Sequence, residues 1–529
     1  VFHVSMPKSR AIFLLLVALG LQPYAWARFP PSQNQGAGIH SDISDAPQIE
    51  KKEQERLQLP KADLYGYLDV VPALNSSMYY MFYEAREPQT EKSKTPIVLW
   101  LQGGPGCSSL FGMLYINGPY WVNEDDLTLR TNPGSWNRLY GLLYIDQPIG
   151  TGFSNAGQQA IPDNEVNVAA DLYAALNNFY AINAPHFDHR PLIVAGESYA
   201  GKYVPSLSHY ILQVDAISRG YYDQLKHPRL IKPAGDFGPG SHSNISIPRP
   251  KFKLGGLAIG NGWTDADTQQ MVQGEVAWSM GLIDSNQRKL VDEMSADVLE
   301  LVKSKKMHKA RVLSDQINDL ISKFSGSPTL EDVRRNTGYD GTMLADRYLS
   351  QEHFMRSMGV RGHDVWISCS EDVDRILAHD VMKTVKHQVA DLLSFHPVLL
   401  YQGQYDAECG VASNNAWIQS MTWYGHADFT TAPRELWNVN GRVMGAIKHF
   451  ANLTQIVIRN TGHMVPHDNP YYGQIMLERW MEEHVLLRKY NRELSEEEEE
   501  MYHRVRGPDE GQFAGPGVQQ RTARLRPQS

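Results

Sequence analysis

Short, continuous runs of apolar residues recur along the chain, and stretches with helical periodicity separate several of them. Continuous runs, unlike alternating ones, are typical of strands that are covered on both faces. Residues 164–180 and 201–218 have the spacing of helices. Strands that alternate with helices predict an α/β protein with an open, mostly parallel sheet. The predicted strands lie at residues 78–83, 96–101, 141–145, 191–195, 254–259, 397–401 and 455–458.

The regular spacing of these strands breaks once, over a long stretch with helical periodicity and few strand signals. We therefore predict a helical insertion that divides the sheet-forming core, with helices expected at residues 271–280, 286–305 and 308–323. A smaller, proline-containing insertion at residues 221–250 predicts an exposed loop. In chain order, the expected organisation is a signal peptide (1–27), a polar arm or pro-segment (28–60), a first part of the core (61–262), the helical insertion (263–395), a second part of the core (396–487) and a disordered acidic and polar tail (488–529).

The first residues predict entry into the secretory pathway. Lys8 and Arg10 precede a short apolar stretch, and Ala25-Trp26-Ala27 follows it as a cleavage site of the A-x-A kind. The apolar stretch is near half of the roughly 20 residues that span a bilayer, so no membrane anchor is expected. Three Asn-x-Ser/Thr triplets, which accept N-linked glycans in secreted proteins, lie at Asn75, Asn244 and Asn452.

Composition narrows the functional classes. The chain has 529 residues, of which 42% are hydrophobic and 21% charged, so wholesale disorder is excluded. The net charge of −9 lacks the basic excess of a duplex binder, and no nucleic-acid partner is expected. Three cysteines are too few for a disulfide-dense scaffold or a cysteine-rich zinc module.

A predicted strand at residues 191–195 runs into Gly196-Glu197-Ser198-Tyr199-Ala200, and a predicted helix follows. Small residues on both sides of a serine allow the strained turn that is called a nucleophile elbow. The sequence matches Gly-x-Ser-x-Ala rather than the full Gly-x-Ser-x-Gly, so a purely structural turn is the alternative interpretation.

Hydrolysis by a serine needs a histidine to accept its proton and a carboxylate to orient that histidine. Asp406 and His463 each follow a predicted strand, in the order Ser, Asp, His that this fold class uses. His463 and His467 could instead form an H-x₃-H metal pair. Pro466 breaks the helix that such a pair needs, and no glutamate lies within the motif, so we expect no metal.

A glycine-rich loop, residues 102–109, follows another early strand. Glycines there let backbone N–H groups approach a reacting carbonyl, which predicts an oxyanion site. Phosphate binding is the competing interpretation, but the loop lacks the Gly-Lys-Ser/Thr ending, and no cofactor is expected.

Five motifs together resemble those of the serine carboxypeptidases, and in detail those of the animal vitellogenic-like members. The motifs run in order between about Leu64 and Val485, at residues 102–109, 144–154, 196–205, 259–262 and 462–466. The resemblance implies an α/β-hydrolase fold with a helical cap, and release of single residues from the C-termini of peptides or proteins in acidic compartments. It implies a secreted or lysosomal enzyme, and a homodimer is left open.

The resemblance also assigns roles to individual residues. Ser198 resembles the nucleophile, His463 the general base and then acid, and Asp406 the carboxylate that orients it. By the same resemblance, the N–H groups of Gly104 and Tyr199 form the oxyanion hole, and the substrate carboxylate is bound by Gln102, Gly103 and a protonated Glu197.

Two further expectations come from the resemblance. Cys107 and Cys369 are expected to form a disulfide that ties the oxyanion loop to the end of the cap, with Cys409 free. The family usually places a second glutamate, hydrogen-bonded to the first, at the position that Ile116 occupies here, and Asn117 is a candidate substitute.

Two alternatives stay open at this point. One is transfer of the acyl group to an acceptor other than water, which uses the same residues. The other is a catalytically silent, hydrolase-fold binding protein; the presence of Ser198, Asp406 and His463 argues against it.

Overall fold

The computed structural model describes residues 60–188, 190–218 and 250–486. The expected signal peptide, the polar arm, the loop at 221–249 with Asn244, and the tail from residue 487 lie outside the described residues. Within the described ranges, no helix is both long and apolar enough to cross a membrane.

A ten-stranded sheet forms the centre of the molecule, in the order β1-β2-β6-β3-β7-β8-β9-β12-β11-β10. Its six central strands, from β6 to β12, are parallel, and the pairs at both edges are antiparallel. Strands β4 and β5 form a separate hairpin. The strands span Leu64–Val71 (β1), Ser76–Tyr83 (β2), Ile97–Leu101 (β3), Tyr120–Val122 (β4), Leu129–Thr131 (β5), Gly141–Ile145 (β6), Pro191–Glu197 (β7), Lys253–Gly260 (β8), Val398–Gly403 (β9), Glu435–Val439 (β10), Arg442–Phe450 (β11) and Leu453–Ile458 (β12).

Both faces of the central strands are covered, which explains their continuous apolar runs. Every residue of β3, β6, β7 and β9 is buried. Side chains alternate between two cores along each strand: Val194 packs with one apolar cluster, and its neighbour Ile193 packs with the other. The prediction of an α/β fold with a mostly parallel sheet is confirmed.

Three helices connect strands in the first part of the core: Ser109–Tyr115 (α1), Glu165–Ile182 (α2) and Ala200–Ser218 (α3). Four follow in the second part: Val411–Ser420 (α12), His426–Thr431 (α13), Val465–Asp468 (α14) and Pro470–Trp480 (α15). A π-helical turn, Met481–Leu486, continues α15. Helices α2 and α3 contribute to one apolar cluster and α15 to the other, so the sheet lies between two helical layers.

Residues 261–397, all of them described, contain helices and no strand, and we call them the helical insertion. Its helices are Ala266–Met271 (α4), Gln273–Ser279 (α5), Ser285–Lys303 (α6), Met307–Ser325 (α7), Gly341–Leu349 (α8), Glu352–Ser357 (α9), Glu371–Val381 (α10) and Lys386–Leu392 (α11). The helix expected at 271–280 is observed as α5, and α4 before it was not predicted. At the start of α4, the Gln269 side chain accepts the N–H groups of Thr264 and Asp265, at 2.7 and 3.0 Å.

The described sequons differ in accessibility. Asn75 is exposed in the turn between β1 and β2, and a glycan there stays a prediction. Asn452 is only 7% exposed, and its amide nitrogen donates to the Leu393 carbonyl at 2.7 Å. That nitrogen is the atom that would carry the glycan, so a glycan at Asn452 would disturb this contact, and the glycan stays a prediction.

Candidate active site

Ser198 lies in a tight turn between strand β7 and helix α3. Its φ of 63° falls in the left-handed region, which is strained for a residue other than glycine. The turn is held by its own backbone: the Ser198 N–H donates to the Gly260 carbonyl at 3.1 Å, and the Ser198 carbonyl accepts from Gly201 and Trp263 at 2.8 and 2.9 Å. A Cβ atom at Gly196 would lie 2.4 Å from the Leu101 carbonyl oxygen, so only glycine fits there. These features are those of a nucleophile elbow.

Asp406 and His463 come together at the same edge of the sheet. Asp406 lies in the acid loop (residues 404–409) after β9, and His463 lies in the base loop (residues 459–464) after β12; the two strands are parallel neighbours. His463 Nδ1 and Asp406 Oδ2 are 2.7 Å apart, and both side chains are buried. The carboxylate therefore fixes the tautomer and the orientation of the imidazole.

Three further donors hold the Asp406 carboxylate. Asn261 Nδ2 donates to Oδ2 at 2.7 Å, and the backbone N–H groups of Glu408 and Cys409 donate to Oδ1 at 2.7 and 3.0 Å. Such charge-assisted bonds fix the rotation of the carboxylate. Asn261 was not among the predicted site residues; its signal is the Gly-Asn-Gly motif directly after β8.

The surroundings of His463 favour the protonated imidazole. Burial by itself would lower the pKa of His463, but Asp406 and then the carboxyl groups of Glu331 and Glu197 raise the pKa above its ordinary value. Nε2 has no hydrogen-bond partner among the described residues, and no hydrogen bond joins it to Ser198 there. This nitrogen is thus the ring atom left to accept a proton.

The glycine-rich loop after β3 packs directly on the elbow. A Cβ atom at Gly103 would lie 2.6 Å from the Tyr199 backbone nitrogen and 2.8 Å from Ser198 Cβ, so glycine is required for this approach. Gly104 has a φ of +113°, which also favours glycine. In the described part of the chain, the N–H groups of Gly104 and Tyr199 have no acceptor. They are the donors that an oxyanion hole would need.

Glu197, immediately before Ser198, is fully buried. Its Oε1 accepts from Gln102 Nε2 at 3.1 Å, and its Oε2 has no partner among the described residues. Burial raises the pKa of Glu197 to about 7, whereas His463 and the Gln102 hydrogen bond lower it. A carboxyl group in this state is protonated in mildly acidic solution and can donate a hydrogen bond.

Ile116 and Asn117 follow helix α1, and both are fully buried. Asn117 Oδ1 accepts from the Tyr144 hydroxyl at 2.9 Å, and Nδ2 has no partner among the described residues. Asn117 therefore does not replace the second glutamate as a hydrogen-bond partner of Glu197 in this structure.

Cys107 and Cys369 form a disulfide between the glycine-rich loop and the helical insertion, and Cys409 is free and buried. His467, the second histidine of the H-x₃-H spacing, stacks on Tyr115 with ring centroids 3.9 Å apart. Its Nδ1 donates to the Tyr115 carbonyl at 2.8 Å. Burial lowers the pKa of His467 to about 4, so this histidine is a neutral packing residue. Among the described residues, no cluster has the composition of a metal site.

The strained serine, the buried Asp–His pair and the glycine-lined approach to the elbow define a serine hydrolase of the α/β-hydrolase fold. The model of one family, described as serine carboxypeptidase, matches residues 53–226 and 234–483. The chain belongs to the serine carboxypeptidase family, and the resemblance in its sequence is thereby confirmed.

Several relatives have been given this family name. "Serine carboxypeptidase-like 50" of Arabidopsis thaliana is 40% identical over 79% of this chain and 86% of its own length. "Venom serine carboxypeptidase" of Apis mellifera is 32% identical over 82% of this chain and 86% of its own length. "Probable serine carboxypeptidase CPVL" of Mus musculus is 29% identical over 79% of this chain and 82% of its own length.

Among solved structures, the chain resembles Kex1(delta)p, described as a prohormone-processing carboxypeptidase from Saccharomyces cerevisiae. The TM-score is 0.64, with 24% identity over 79% of this chain and 90% of that one. At this identity the likeness supports the fold.

Proposed function

We propose that this protein releases single residues from the C-termini of peptides or proteins through an acyl-enzyme formed on Ser198. The observation that carries the proposal is the buried Glu197–Gln102 pair next to the strained serine. An endopeptidase has no need for buried polar groups at this place, whereas an exopeptidase must recognise a free carboxylate.

In the proposed reaction, Ser198 Oγ attacks the carbonyl carbon of the last peptide bond while His463 Nε2 takes its proton. Asp406 stabilises the imidazolium, and the N–H groups of Gly104 and Tyr199 receive the negative charge on the carbonyl oxygen. His463 then gives its proton to the leaving amine. Water attacks the acyl-enzyme by the same route, so the reaction as proposed uses no metal or organic cofactor.

Recognition of the substrate carboxylate is proposed for Gln102, Gly103 and Glu197. Glu197 contributes as a neutral donor, because an ionised glutamate would repel the carboxylate at contact. The raised pKa of Glu197 supports this role. Glu197 must be protonated for binding, whereas His463 must be neutral to accept a proton, so substrate binding and proton transfer respond to pH in opposite directions.

We further propose that the protein acts in an acidic, secreted or lysosomal compartment, with its helical insertion serving as a cap over the site. The predicted signal peptide and the exposed sequon at Asn75 support entry into the secretory pathway. The neutral state of Glu197 below pH about 7 supports an acidic compartment. A homodimer stays a prediction.

The experiment compares the purified protein and Ser198→Ala on blocked dipeptides with a free C-terminal carboxylate and on the matched C-terminal amides. We expect the free acids to be hydrolysed much faster, with Ser198→Ala inactive but folded and a phosphonofluoridate labelling only the wild type. Equal rates on acids and amides, or turnover above a trace in Ser198→Ala, would overturn the proposal.

A further inference from the structure

A short segment of the helical insertion lies against both catalytic loops. Residues 330–333, here called the bridging segment, follow helix α7 and are not part of a regular element. Leu330 and Asp332 are buried, with 6% and 1% of their surface exposed. The segment is therefore packed into the molecule rather than lying on its surface.

The bridging segment is hydrogen-bonded to the acid loop on both sides of the catalytic aspartate. The Ala407 N–H donates to the Leu330 carbonyl at 2.8 Å, and the Val333 N–H donates to the Tyr405 carbonyl at 3.1 Å. Asp406 lies between these two bonded residues. Its backbone is thus held on either side by a part of the chain more than 70 positions away.

The same segment is bonded to the catalytic histidine itself. The His463 N–H donates to the Glu331 carbonyl at 2.8 Å, and the two catalytic loops are joined by the Tyr405 N–H and the Thr461 carbonyl at 2.9 Å. Backbone hydrogen bonds therefore join the acid loop, the base loop and the bridging segment to one another, each to the other two.

The absence of a side chain at Gly462 leaves room for this arrangement, and neighbouring charged side chains reinforce it. A Cβ atom at Gly462 would lie 2.5 Å from Asp332 Cβ and 2.7 Å from the Glu331 carbonyl oxygen. Arg334 pairs with Asp332 through two hydrogen bonds, of 2.8 and 2.6 Å, and its Nη2 lies 3.5 Å from Asp468 Oδ2. Asp468 Oδ2 in turn accepts the Gly462 N–H at 2.5 Å.

We propose that the bridging segment is a positioning element of the catalytic site, which sets the distance and orientation between Asp406 and His463. The inference rests on the proposed roles of these two residues. Its consequence is that the helical insertion takes part in catalysis by fixing the Asp–His pair, besides any part in substrate selection. A shift of about 1 Å in a catalytic group can cost about 10²-fold in rate, so loss of one backbone bond is expected to be measurable.

The first test removes one backbone donor. Val333→Pro eliminates the N–H that donates to Tyr405, and Val333→Ala keeps that N–H while shortening the side chain, so it sets the baseline. On a blocked dipeptide with a free carboxylate, we expect kcat of Val333→Pro to fall about ten- to hundredfold below that of Val333→Ala, with KM within about twofold. A purely structural role would lower the melting temperature and leave kcat per folded molecule unchanged.

The second test pushes the segment away from the base loop and covers the case in which Val333→Pro does not fold. Gly462→Ala places a methyl group against Asp332 and Glu331, and Gly338→Ala is the matched control, because a Cβ atom there meets nothing within 4 Å. We expect Gly462→Ala to lower kcat in the same way and Gly338→Ala to match the wild type.

Combining Val333→Pro with Gly462→Ala separates docking of the segment from a direct effect on His463. If both changes undo the same docking, the double variant loses no more kcat than the worse single variant; independent effects would multiply. Multiplying effects, equal kcat in the two Val333 variants, or a loss confined to KM would overturn the inference. A wild type that neither hydrolyses free-acid dipeptides nor reacts with a phosphonofluoridate would instead overturn the proposed function.

Discussion

At the scale of single residues, the protonation state of Glu197 determines how the protein should respond to pH. Its pKa of about 7 means that the neutral donor is lost as the pH rises above this value. We therefore expect KM for a free-acid dipeptide to be constant in acid and to approach a rise of about tenfold per pH unit above pH 7. Steady-state kinetics from pH 5 to 8.5 measure this directly.

Two variants test whether Glu197 causes the rise in KM. Glu197→Gln carries a permanent neutral donor, so its KM should vary little with pH. Ile116→Glu introduces the carboxyl group that the family usually places there; a second carboxyl raises the pKa of the first, and the rise should begin at higher pH. A wild-type KM that stays constant up to pH 8.5 would mean that Glu197 does not contact the substrate carboxylate.

Asn261 is hydrogen-bonded to Asp406, the proposed catalytic aspartate, and was not predicted as a site residue. Its amide makes two hydrogen bonds: Nδ2 donates to Asp406 Oδ2 in the acid loop, and Oδ1 accepts the N–H of Gly403 at the end of β9, at 3.1 Å. Its φ of 42° is one that asparagine tolerates better than alanine. We expect Asn261→Gly, which keeps the backbone conformation accessible, to lower kcat about tenfold through the lost hydrogen bond to Asp406.

Asn261→Ala is the comparison for that variant. It loses the same amide and adds backbone strain, so it should show a similar kcat but a lower melting temperature than Asn261→Gly. Wild-type kcat in both variants would show that the Asp406 carboxylate is held well enough by its two backbone donors.

At the scale of elements, the disulfide connects the glycine-rich loop to the helical insertion. Backbone bonds flank it: the Ser108 N–H donates to Ser368 at 2.7 Å, and the Ser370 N–H donates to Gly106 at 2.8 Å. The two cysteines are 262 residues apart in sequence, and bridging such a loop restricts the unfolded chain strongly. We expect Cys107→Ala to lower the free energy of unfolding by about 2–5 kcal/mol.

Denaturant unfolding of three variants checks this expectation. Cys369→Ala and the double variant Cys107→Ala/Cys369→Ala should be as unstable as Cys107→Ala, because all three lack the same bond. Cys409→Ala is the control, since its thiol is free. Non-reducing peptide mapping that finds Cys409 in a bridge would contradict the pairing.

The central strands could be predicted from sequence because they are buried on both faces. Strand β3, expected at 96–101, is observed at Ile97–Leu101. Strands β10 and β11 were not predicted, since they lie at the edge of the sheet and nine of their fourteen residues are exposed or partly exposed. Their mixed polar pattern does not distinguish a strand from a loop.

At the site, too, the sequence shows only those features that depend on a local pattern of residues. Ser198, Asp406 and His463 follow strands and could be found from their spacing along the chain. The burial of Asn452 and the contacts of the bridging segment arise only when distant parts of the chain pack together. No local pattern contains this information, so neither the burial of Asn452 nor the bridging segment was foreseen.

At the scale of the whole molecule, the helical insertion is joined to the core at several separate places around the elbow. Besides the disulfide and the bridging segment, Lys202 of helix α3 is fully buried and lies 3.3 Å from Asp380 of helix α10. The Ser206 hydroxyl of helix α3 also donates to Gln388 Oε1 of helix α11 at 3.1 Å. These separate contacts indicate that the insertion and the core unfold together, so one unfolding transition should report the stability of both.

That stability should depend on pH in a direction set by buried carboxyl groups. Burial raises the pKa of several of them above the ordinary values of 3.8 for Asp and 4.5 for Glu, so the folded state keeps protons that the unfolded state has lost. These groups are Asp146 (about 6), Glu165 (about 8), Asp171 (about 7), Glu197 (about 7), Asp315 (about 6) and Glu408 (about 7). A group with a raised pKa contributes its stability fully below the unfolded pKa and loses it as the pH rises through the folded pKa. His463, whose pKa is also raised, acts in the same direction.

Between pH 6.5 and 8, therefore, the melting temperature should fall as the pH rises. Burial lowers the pKa of His363, His387 and His467, and these histidines oppose the trend, but their effect fades above about pH 6.5 as the unfolded histidine loses its proton. Melting curves at pH 6.5, 7.25 and 8 and at constant ionic strength measure how the melting temperature depends on pH.

Asp171→Asn tests one of these groups, because it removes a titrating carboxyl that lies away from the catalytic site. The asparagine keeps an oxygen that can accept from the Gln159 amide, which donates to Asp171 at 2.9 Å in the wild type. Asp171→Asn should raise the melting temperature at pH 8 and reduce the dependence of the melting temperature on pH.

A melting temperature that rises with pH in this range would show that the buried carboxyl groups are ionised in the folded protein. In that case Glu197 would be ionised as well and could not act as a neutral donor.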